Sequence, residues 1–339
     1  MKEIRIGLVG AGRMGSFHGK SIAHKIHRAK LTAIADPFPG AAERLASELG
    51  AFQAYTDPKE MFKDPNVDAV IIAAPARSHA ELVVAATNEG KAVFCEKPMA
   101  VTLEEADKAI SAAQEANVPL QVGFNRRFVS GFRAAHDDIV EGRIGTPQLL
   151  RSLTRDPGLG DPTPIPEWTI FLETLIHDFD ALCYLNPGSE PIEVYAVADA
   201  LVRPDFKDKG LLDTAVVNIR FDNGAIATAE ANFQAVYGYD VRGEVFGSAG
   251  MVTAGSVQQT NMVRYTAEGI SSNTCRQDTE LLHDAYVAEL ASFVECVRTG
   301  NTPYATGVDA RRALSIALAC IESVKTNTPV KVKQNVQLV

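Results

Sequence analysis

The sequence predicts an α/β protein of two domains. Residues 1–124 are expected to form a doubly wound parallel-sheet domain, and residues 125–339 an α+β domain with a large open, mostly antiparallel sheet. In the first part, short continuous apolar runs alternate with helical patterns, as a parallel sheet covered on both faces requires. After about residue 125 the chain changes to longer runs with β character and fewer helices. The total of 339 residues suits two domains of ordinary size.

Six apolar runs predict the strands of the first domain. In chain order they are IRIGLV, LTAIA, FQAY, DAVIIAA, AVFC and LQVGF. The helical segments between them are GSFHGKSIAHKI, GAAERLASEL, HAELVVAATNEG and LEEADKAISAAQEA, with a short PKEMF turn before the fourth run. Strands that alternate with helices in this way predict βαβ units.

The second domain is predicted from strands and a hairpin signal. A helix, FRAAHDDIVEG, leads to the strand QLLRSLTRD, a loop rich in proline and glycine, and the helical segment WTIFLETLIHDFDALCYL. Three β-like stretches follow, and Asp222-Asn223-Gly224 in the second of them predicts a tight hairpin whose centre needs a positive φ. Two closing helices, DAYVAELASFVECVRTG and ARRALSIALACIESVKTN, each end near a Gly or Asn, as helix C-termini prefer.

Charge and composition exclude several classes of function. The net charge of −9 without a basic stripe argues against a nucleic-acid partner. Five scattered cysteines in no Cys/His cluster predict reduced thiols in a cytoplasmic protein, with neither a disulfide framework nor a metal site. The first apolar run leads straight into a glycine-rich turn, so no signal peptide is expected, and no run is long enough to span a membrane.

A glycine-rich turn follows the first strand. Gly10-Ala11-Gly12-Arg13-Met14-Gly15 is a GxGxxG that opens a helix, and this context is the dinucleotide-binding fingerprint of a Rossmann domain. The glycines permit the tight turn, the approach of the pyrophosphate and close helix packing, while the helix N-terminus offers N–H donors. The alternative is a strand, turn and helix with no ligand.

Asp36 ends the second strand about 20 residues beyond the last glycine, where a carboxylate accepts hydrogen bonds from ribose hydroxyls. It would repel a 2′-phosphate, and no Arg or Lys adjoins it, so NAD is favoured over NADP. A cap on the next helix is the alternative role for Asp36.

Later strands also end in candidate site residues. Ala74 and Pro75 close the fourth strand and His79 opens the next helix, so they are expected near the middle of the cofactor, although His79 could equally be a capping or surface residue. Lys97 closes the fifth strand, where the nicotinamide would lie, and Pro98 restricts its backbone. An ammonium there can orient a substrate oxygen. The alternative is a solvated lysine paired with Glu96.

The segment FLETLIHDFD offers a base for alcohol oxidation. Glu173 and His177 stand four residues apart and so project from one helical face. Histidine can take the hydroxyl proton while hydride leaves the carbon, and a neighbouring carboxylate can orient it. Asp180 is a second candidate partner, and the alternative is that it is simply exposed to solvent. An amphipathic helix with a histidine at the edge of the core is the alternative.

These motifs, together with CEKPM, GFNRRF and YGYDVRGEVFGSAGM, resemble the glucose–fructose oxidoreductase/inositol dehydrogenase (Gfo/Idh/MocA) family over the whole chain, and within it the inositol 2-dehydrogenases. The resemblance implies catalytic roles for Lys97 and His177, with Glu173 where that subgroup has an aspartate. It also implies an open sheet that serves as a subunit interface, commonly in homotetramers. The glycine pair usual before the histidine helix is replaced by Trp168 and Thr169.

Further contacts follow from the resemblance. Expected cofactor contacts are Gly10, Gly12, Arg13, Met14, Asp36, Ala74, Pro75, His79, Glu96, Lys97 and Asn125. Expected substrate contacts are Lys97, Arg127, Asp156, His177 and Tyr237, of which Arg127, Asp156 and Tyr237 could instead be structural. The implied activity is NAD-dependent oxidation of inositol or a related polyol or sugar. A redox-neutral NAD-dependent glycosidase and a non-catalytic NAD and sugar sensor are the alternatives that this family also offers.

Overall fold

A computed structural model describes residues 3–334, so that residues 1–2 and 335–339 of the two predicted domains lie outside the described part of the chain. The chain divides into two compact units. The first combines the N-terminal part, up to Asn125, with Tyr286–Leu314. The second combines Arg126–Ala285 with residues 315–334.

The first unit contains a six-stranded parallel sheet in the order β3-β2-β1-β4-β5-β6, the order of a dinucleotide-binding fold. Its strands are β1 (Ile4–Val9), β2 (Ala29–Ala35), β3 (Gln53–Tyr55), β4 (Ala69–Ile72), β5 (Ala92–Cys95) and β6 (Leu120–Val122). Every residue of β4 and β5 is buried, which explains why these strands read as continuous apolar runs. The predicted doubly wound domain is confirmed.

Helices α1 (Arg13–His24), α2 (Ala41–Leu49), α3 (Pro58–Phe62), α4 (His79–Asn88) and α5 (Leu103–Glu115) connect the strands. Local chemistry fixes their ends. Thr102 and Glu105 form a reciprocal capping box at the start of α5, and Gly50 ends α2 with a φ of 72°. The PKEMF segment, which was predicted as a turn, is the five-residue helix α3 because Asp57 caps it.

The core of the first unit includes residues from both ends of the sequence. Leu290, Phe293 and Val294 belong to one buried cluster with apolar residues of β1 and β2. Because of this packing, the first compact unit includes Tyr286–Leu314 in addition to the N-terminal residues, whereas the predicted first domain ended at residue 124.

The second unit is built on a seven-stranded sheet in the order β12-β11-β7-β10-β9-β8-β15. The strands are β7 (Pro147–Arg155), β8 (Pro191–Asp199), β9 (Thr214–Phe221), β10 (Ile226–Asn232), β11 (Asp240–Gly247), β12 (Gly250–Gly255) and β15 (Val330–Lys331). Only β7 and β10 run parallel among the paired strands of this described sheet, so the prediction of a mostly antiparallel sheet is confirmed. Gly224, at the predicted hairpin between β9 and β10, has a φ of 89°.

Helix α6 (Ser130–Val140) precedes the sheet, and α7 (Ile176–Tyr184) follows β7. The predicted helical segment before α7 begins with a π-helical turn over Ile170–Thr174, in which the Leu175 N–H donates to the Ile170 carbonyl at 2.8 Å. The remaining helices are α8 (Asp278–Leu281), α9 (His283–Thr299) and α10 (Gly307–Thr326). None of the helices within residues 3–334 has the length and apolar character needed to cross a membrane.

A two-stranded hairpin of β13 (Gln258–Thr266) and β14 (Gly269–Thr274) completes the second unit. The sequence did not predict it. All nine residues of β13 are exposed, so this strand lacks the alternation of apolar and polar residues that marks a half-buried strand.

Candidate active site

The parallel sheet brings the predicted cofactor residues to one edge. Gly10 follows β1, Asp36 follows β2, Ala74 follows β4 and Glu96 follows β5. Because β1 and β4 are neighbours with connections that leave in opposite directions, the ligand crevice of such a sheet lies at their carboxyl ends.

The glycine-rich turn leaves room for a dinucleotide. A Cβ atom at Gly10 would collide with the backbone of Ala73, and one at Gly15 would collide with the Gly10 carbonyl, so both glycines serve close packing. A Cβ at Gly12 would meet no atom of residues 3–334 within 4 Å. Gly12 is the N-cap of α1, with no side-chain cap and no acidic residue in the first turn. The N-terminus of α1 is therefore open to an anion, and these residues fit a pyrophosphate.

Asp36 is tied to this turn. Its Oδ2 accepts a hydrogen bond from the Ala11 N–H at 2.7 Å, and its Oδ1 accepts one from the Phe38 N–H at 2.8 Å. The N-cap of α2 is Gly40, so Asp36 is not the cap of that helix. The carboxylate is held beside the glycines and keeps lone pairs for further donors, which fits the predicted contact with ribose hydroxyls.

His79 is buried and links two strand-end turns. Its Nδ1 lies 2.8 Å from the Pro98 carbonyl oxygen, and its Nε2 lies 2.7 Å from the Ala74 carbonyl oxygen. The side chain is only 2% exposed, so it is not the surface residue that one alternative assumed. Cofactor contact by His79 stays a prediction, and the observed geometry gives it a role in fixing the loops after β4 and β5.

Glu96 and Lys97 occupy the turn after β5. Glu96 is buried, and its Oε1 accepts from His18 Nε2 at 2.5 Å. Burial alone would raise its pKa, but the hydrogen bond and charge of His18 and the charge of Lys97 outweigh burial and hold that pKa below its usual value. Lys97 is half-buried, and the Lys97–Pro98 peptide bond is cis. Direct contact of Glu96 with the cofactor stays a prediction.

The second unit presents His177 on a buried helix. Eight of the nine residues of α7 are buried, and His177 is the one that keeps part of its surface exposed. Glu173 lies in the preceding π-helical turn and is also half-buried. A π-helical turn next to a functional side chain is a common arrangement.

Asp178, which the sequence reasoning missed, anchors α7 to the sheet. Its carboxylate accepts from Ser152 Oγ at 2.6 Å and from Thr154 Oγ1 at 2.7 Å, and Arg126 lies 3.5 Å away. Burial raises its pKa, against the opposing charge of Arg126 and the two hydroxyl donors. The available signal was an acid between the apolar residues Ile176 and Phe179 of the same helix. The network fixes the first turn of α7, where His177 lies.

Arg127 and Asp180 form a second buried pair. Arg127 donates from Nε to Oδ2 at 2.9 Å and from Nη2 to Oδ1 at 2.6 Å. The guanidinium also lies over the Tyr184 ring, 5.1 Å from its centroid. Asp180 is buried rather than exposed. Substrate contact by Arg127 stays a prediction, and the bidentate pair supports the structural alternative.

Asp156 and Tyr237 also have protein partners. The Tyr237 hydroxyl donates to Asp240 Oδ2 at 2.7 Å, and 44% of this tyrosine is exposed. Burial and then the charge of Asp156 raise the pKa of Tyr239 well above its ordinary value, which places the Asp156 carboxylate beside that phenol. Their roles as substrate contacts remain predictions.

Comparison with known proteins gives the family. Residues 4–124 match the NAD-binding Rossmann domain of the Gfo/Idh/MocA oxidoreductase family, and residues 137–332 match its C-terminal alpha/beta domain. The chain is 38% identical to a myo-inositol 2-dehydrogenase of Thermotoga maritima, over 98% of this chain and 99% of that protein. It is 36% identical to a scyllo-inositol 2-dehydrogenase (NAD(+)) of Bacillus subtilis, over 97% and 96%.

A solved structure agrees with these matches. The scyllo-inositol dehydrogenase of Lactobacillus casei with bound NAD(H) and scyllo-inositol has a TM-score of 0.92 and 30% sequence identity, and the match covers 98% of this chain and 99% of that one. The glycine turn, the topology of both sheets and the matches over both domains lead to one conclusion. The chain belongs to the Gfo/Idh/MocA family of NAD-binding oxidoreductases.

Proposed function

We propose that the protein oxidises a secondary hydroxyl of inositol, either myo-inositol or a related isomer, to the ketone. The observation that carries the proposal is His177, a partly exposed imidazole on the otherwise buried helix α7. It stands in a chain whose relatives over nearly the full length are named as inositol dehydrogenases. A base and a hydride acceptor are the two requirements of alcohol oxidation.

Each protein group has a defined task in this proposal. NAD, when bound at the glycine-rich turn, supplies the acceptor for the hydride. His177 takes the proton of the reacting hydroxyl, and Glu173 orients the imidazole and stabilises its protonated form. Lys97 donates to the oxygen that becomes the carbonyl and so favours the developing geometry. Asp178 holds α7 in place and thereby positions His177.

Two departures from the subgroup pattern bear on which isomer is used. Glu173 is one methylene longer than the aspartate of the subgroup, and Trp168 stands where a glycine is usual. Trp168 keeps a φ of 62°, the left-handed conformation that favours glycine. Its ring packs on Phe171 and lies under the Lys325 ammonium. Trp168 thus keeps the backbone conformation of the usual glycine but adds a large ring. This supports a substrate preference that differs from that of the subgroup, with the same hydride-transfer chemistry.

The first test follows NADH formation with NAD and a panel of inositol isomers and aldoses, with a parallel NADP series. We expect reduction of NAD with one or a few inositols and little reduction of NADP. Lys97→Met and His177→Gln should each lower kcat by at least about 100-fold, because each removes a group that acts on the reacting hydroxyl. NAD binding, measured by calorimetry, should remain within a few-fold.

Matched controls are Lys108→Met and His27→Gln, which change exposed residues of the same types in the first unit. Wild-type turnover in Lys97→Met or His177→Gln would refute the assigned roles. Silence across the panel with NAD bound would refute the dehydrogenase and favour the sensor. Cleavage of a glycoside with no net NADH would identify the redox-neutral enzyme.

We also propose that the protein is a cytoplasmic homo-oligomer, a tetramer, in which the outer face of the seven-stranded sheet contacts a second copy. Ile226, Leu149, Phe246 and Met251 occupy one row across four neighbouring strands of that face. Each of the four side chains is about half exposed, between 47% and 55%. A continuous exposed apolar row of this kind is typical of an interface.

A further inference from the structure

Three ionisable side chains meet inside the first unit, directly behind Lys97. They are His18 on α1, Glu96 after β5 and Glu289 on α9, and one ligand-type atom of each lies within 4.8 Å of the others. His18 and Glu289 are 0% exposed and Glu96 is 6% exposed. Nothing in the proposed mechanism uses His18 or Glu289.

The Glu289 carboxyl group accepts no hydrogen bond from the described residues of this cluster. Neither carboxyl oxygen has a hydrogen-bond partner among the described residues, and both are buried. The nearby Gln121 donates from Nε2 to the Glu289 backbone carbonyl at 2.8 Å, and the Gln121 Oε1 is itself buried without a donor. His18 Nδ1 is likewise buried and lacks a hydrogen-bond partner among the described residues. A second carboxylate beside Glu96 would be both desolvated and repelled.

The electrostatics of the two carboxyl groups point in opposite directions. Burial, and then the charge of Glu96, raise the pKa of Glu289 well above its usual value. The pKa of Glu96 lies below its usual value because His18 and Lys97 outweigh the effect of burial. These opposite directions favour one ionised and one neutral carboxyl group, an arrangement that two carboxyl groups sharing a site commonly adopt.

A metal ion is the other occupant that such a triad could suggest. Two ligands bound at 2.0 to 2.1 Å to a tetrahedral zinc stand about 3.3 Å apart. His18 Nε2 and Glu96 Oε1 are 2.5 Å apart, which is the spacing of a direct charge-assisted hydrogen bond. The geometry favours a proton over a metal.

Glu96 links the cluster to Lys97 through a hydrogen bond. Its Oε2 accepts from the Lys97 backbone N–H at 3.2 Å. A Cβ atom at Gly123 would come within 3.1 Å of the same oxygen, so the glycine allows the carboxylate its place. The remaining ring neighbours of His18 are Phe17, Phe94 and Tyr286. These aromatic rings pack against the His18 ring and hold its orientation. Glu96 is in turn held by His18, by the Lys97 backbone N–H and by the space that Gly123 leaves.

We propose that His18 and Glu289 are positioning residues for Lys97: His18 fixes the ionised Glu96 under the Lys97 backbone, and Glu289 carries a proton at neutral pH, which leaves Glu96 the only anion of the cluster. The consequence for turnover rests on the proposed function of Lys97. The charged or titratable groups that face the cluster are Lys97 and Cys95 at the end of β5, His79 on α4 and Tyr286 on α9.

The protonation of Glu289 can be tested without turnover. Infrared spectra of the full-length protein at neutral pH should contain the carbonyl band of a neutral carboxylic acid. The band should lose intensity in Glu289→Gln and keep its intensity in Glu96→Gln. Glu295→Gln is the matched control, since Glu295 is an exposed glutamate on the same helix, paired with Arg298, and should leave the band unchanged. A band absent from the wild type, or one of undiminished intensity in Glu289→Gln, would overturn the proposal.

The positioning role is tested by kinetics. His18→Leu removes the donor to Glu96 and should lower kcat by about tenfold or more, with the Kd for NAD within about threefold, as a loss confined to the chemical step requires. His18→Gln, which restores an uncharged N–H donor, should recover part of kcat. If His18→Leu fails to fold, the comparison of His18→Gln with Glu96→Gln decides the question. His18→Gln should have the higher kcat, because it keeps the Glu96 carboxylate, which Glu96→Gln removes.

The outcomes separate this inference from the proposed function. Full turnover in His18→Leu, with Lys97→Met inactive, would refute the positioning role and leave Lys97 catalytic. Full turnover in Lys97→Met would refute the proposed function, while the infrared result would still decide the protonation of Glu289. The purified protein could instead contain one divalent metal ion per chain that Glu289→Gln lacks. That result would show a metal in place of the proton and would overturn the proposal.

Discussion

At the residue scale, the three glycines of one turn have different physical tasks. Gly10 has a φ of 97° and packs against the Ala73 backbone, and Gly15 touches the Gly10 carbonyl, so both are required by the fold. Gly12 has an ordinary φ of −75° and open space in front of it. Its lack of a side chain serves the ligand rather than the protein.

Gly12→Ala should therefore separate stability from cofactor binding. We expect the melting temperature to stay the same or rise slightly, because alanine fits this backbone and reduces the freedom of the unfolded chain by about 0.4 to 1 kcal/mol. NAD affinity should fall by at least about tenfold, since the methyl group occupies the approach of the pyrophosphate. Thermal unfolding and calorimetric titration measure the two effects.

Gly10→Ala is the comparison for that experiment. Its methyl group meets backbone that cannot move away, so this variant should lose stability as well as NAD binding. Equal loss of stability in Gly12→Ala and Gly10→Ala would contradict the division of tasks.

Sequence reasoning is strongest where structure is local. Strand, turn and helix are contiguous around Gly10, and Asp36 follows at a fixed spacing, so the fold of this turn could be predicted in advance, while its cofactor contacts stay predictions. Glu289 could not be linked to Glu96, because nearly 200 residues separate them and no periodicity encodes the contact. The available signal was weaker: Glu289 lies three residues after Tyr286 and four before Phe293, an acid on an apolar helical face.

At the element scale, the seven-stranded sheet has two unlike faces. The inner face carries small and apolar residues such as Ala229 and Val217, both 0% exposed, and its strands β7 and β10 pack on α7. The outer face displays the row of Ile226, Leu149, Phe246 and Met251 defined above. The strands themselves were predictable from alternation, whereas the continuity of this row depends on register, which the sequence alone does not give.

Leu149→Lys should disrupt the oligomer. Leu149 lies between Ile226 and Phe246 in the row, and a buried, unpaired ammonium in an apolar interface costs several kcal/mol. We expect light scattering to show an assembly of lower mass, while the melting temperature of the protomer stays the same. Val140→Lys on α6 is the control, because Val140 is 61% exposed and belongs to a helix rather than to the row on the sheet. Unchanged mass for Leu149→Lys would refute the sheet interface.

For the whole molecule, the raised pKa of Glu289 makes stability depend on pH. The unfolded chain releases this proton near pH 4.3, whereas the folded chain retains it to higher pH. Between these values the folded state binds more protons, so the free energy of unfolding decreases as pH rises, by up to about 1.4 kcal/mol per pH unit for this group. Below the unfolded pKa the contribution is complete.

Glu289→Gln lacks this proton and should lack this slope. The stability of the variant relative to the wild type should increase steadily between about pH 5 and pH 7, as measured by urea unfolding of both proteins at each pH. Glu295→Gln should run parallel to the wild type. A difference between Glu289→Gln and the wild type that is constant across this range would mean that Glu289 is already ionised in the folded protein.

The first unit combines N-terminal residues with Tyr286–Leu314, and this has a consequence for biosynthesis. Its sheet is translated within the first 124 residues, yet Leu290, Phe293 and Glu289 arrive only after more than 280 residues have been made. Until then, the apolar cluster that α9 joins lacks part of its packing, and the Glu96 turn lacks Glu289. The core of the first unit is therefore completed only after the second unit has been translated. A ribosome that stalls before α9 would release a first unit with an incomplete core, which we expect chaperones to bind.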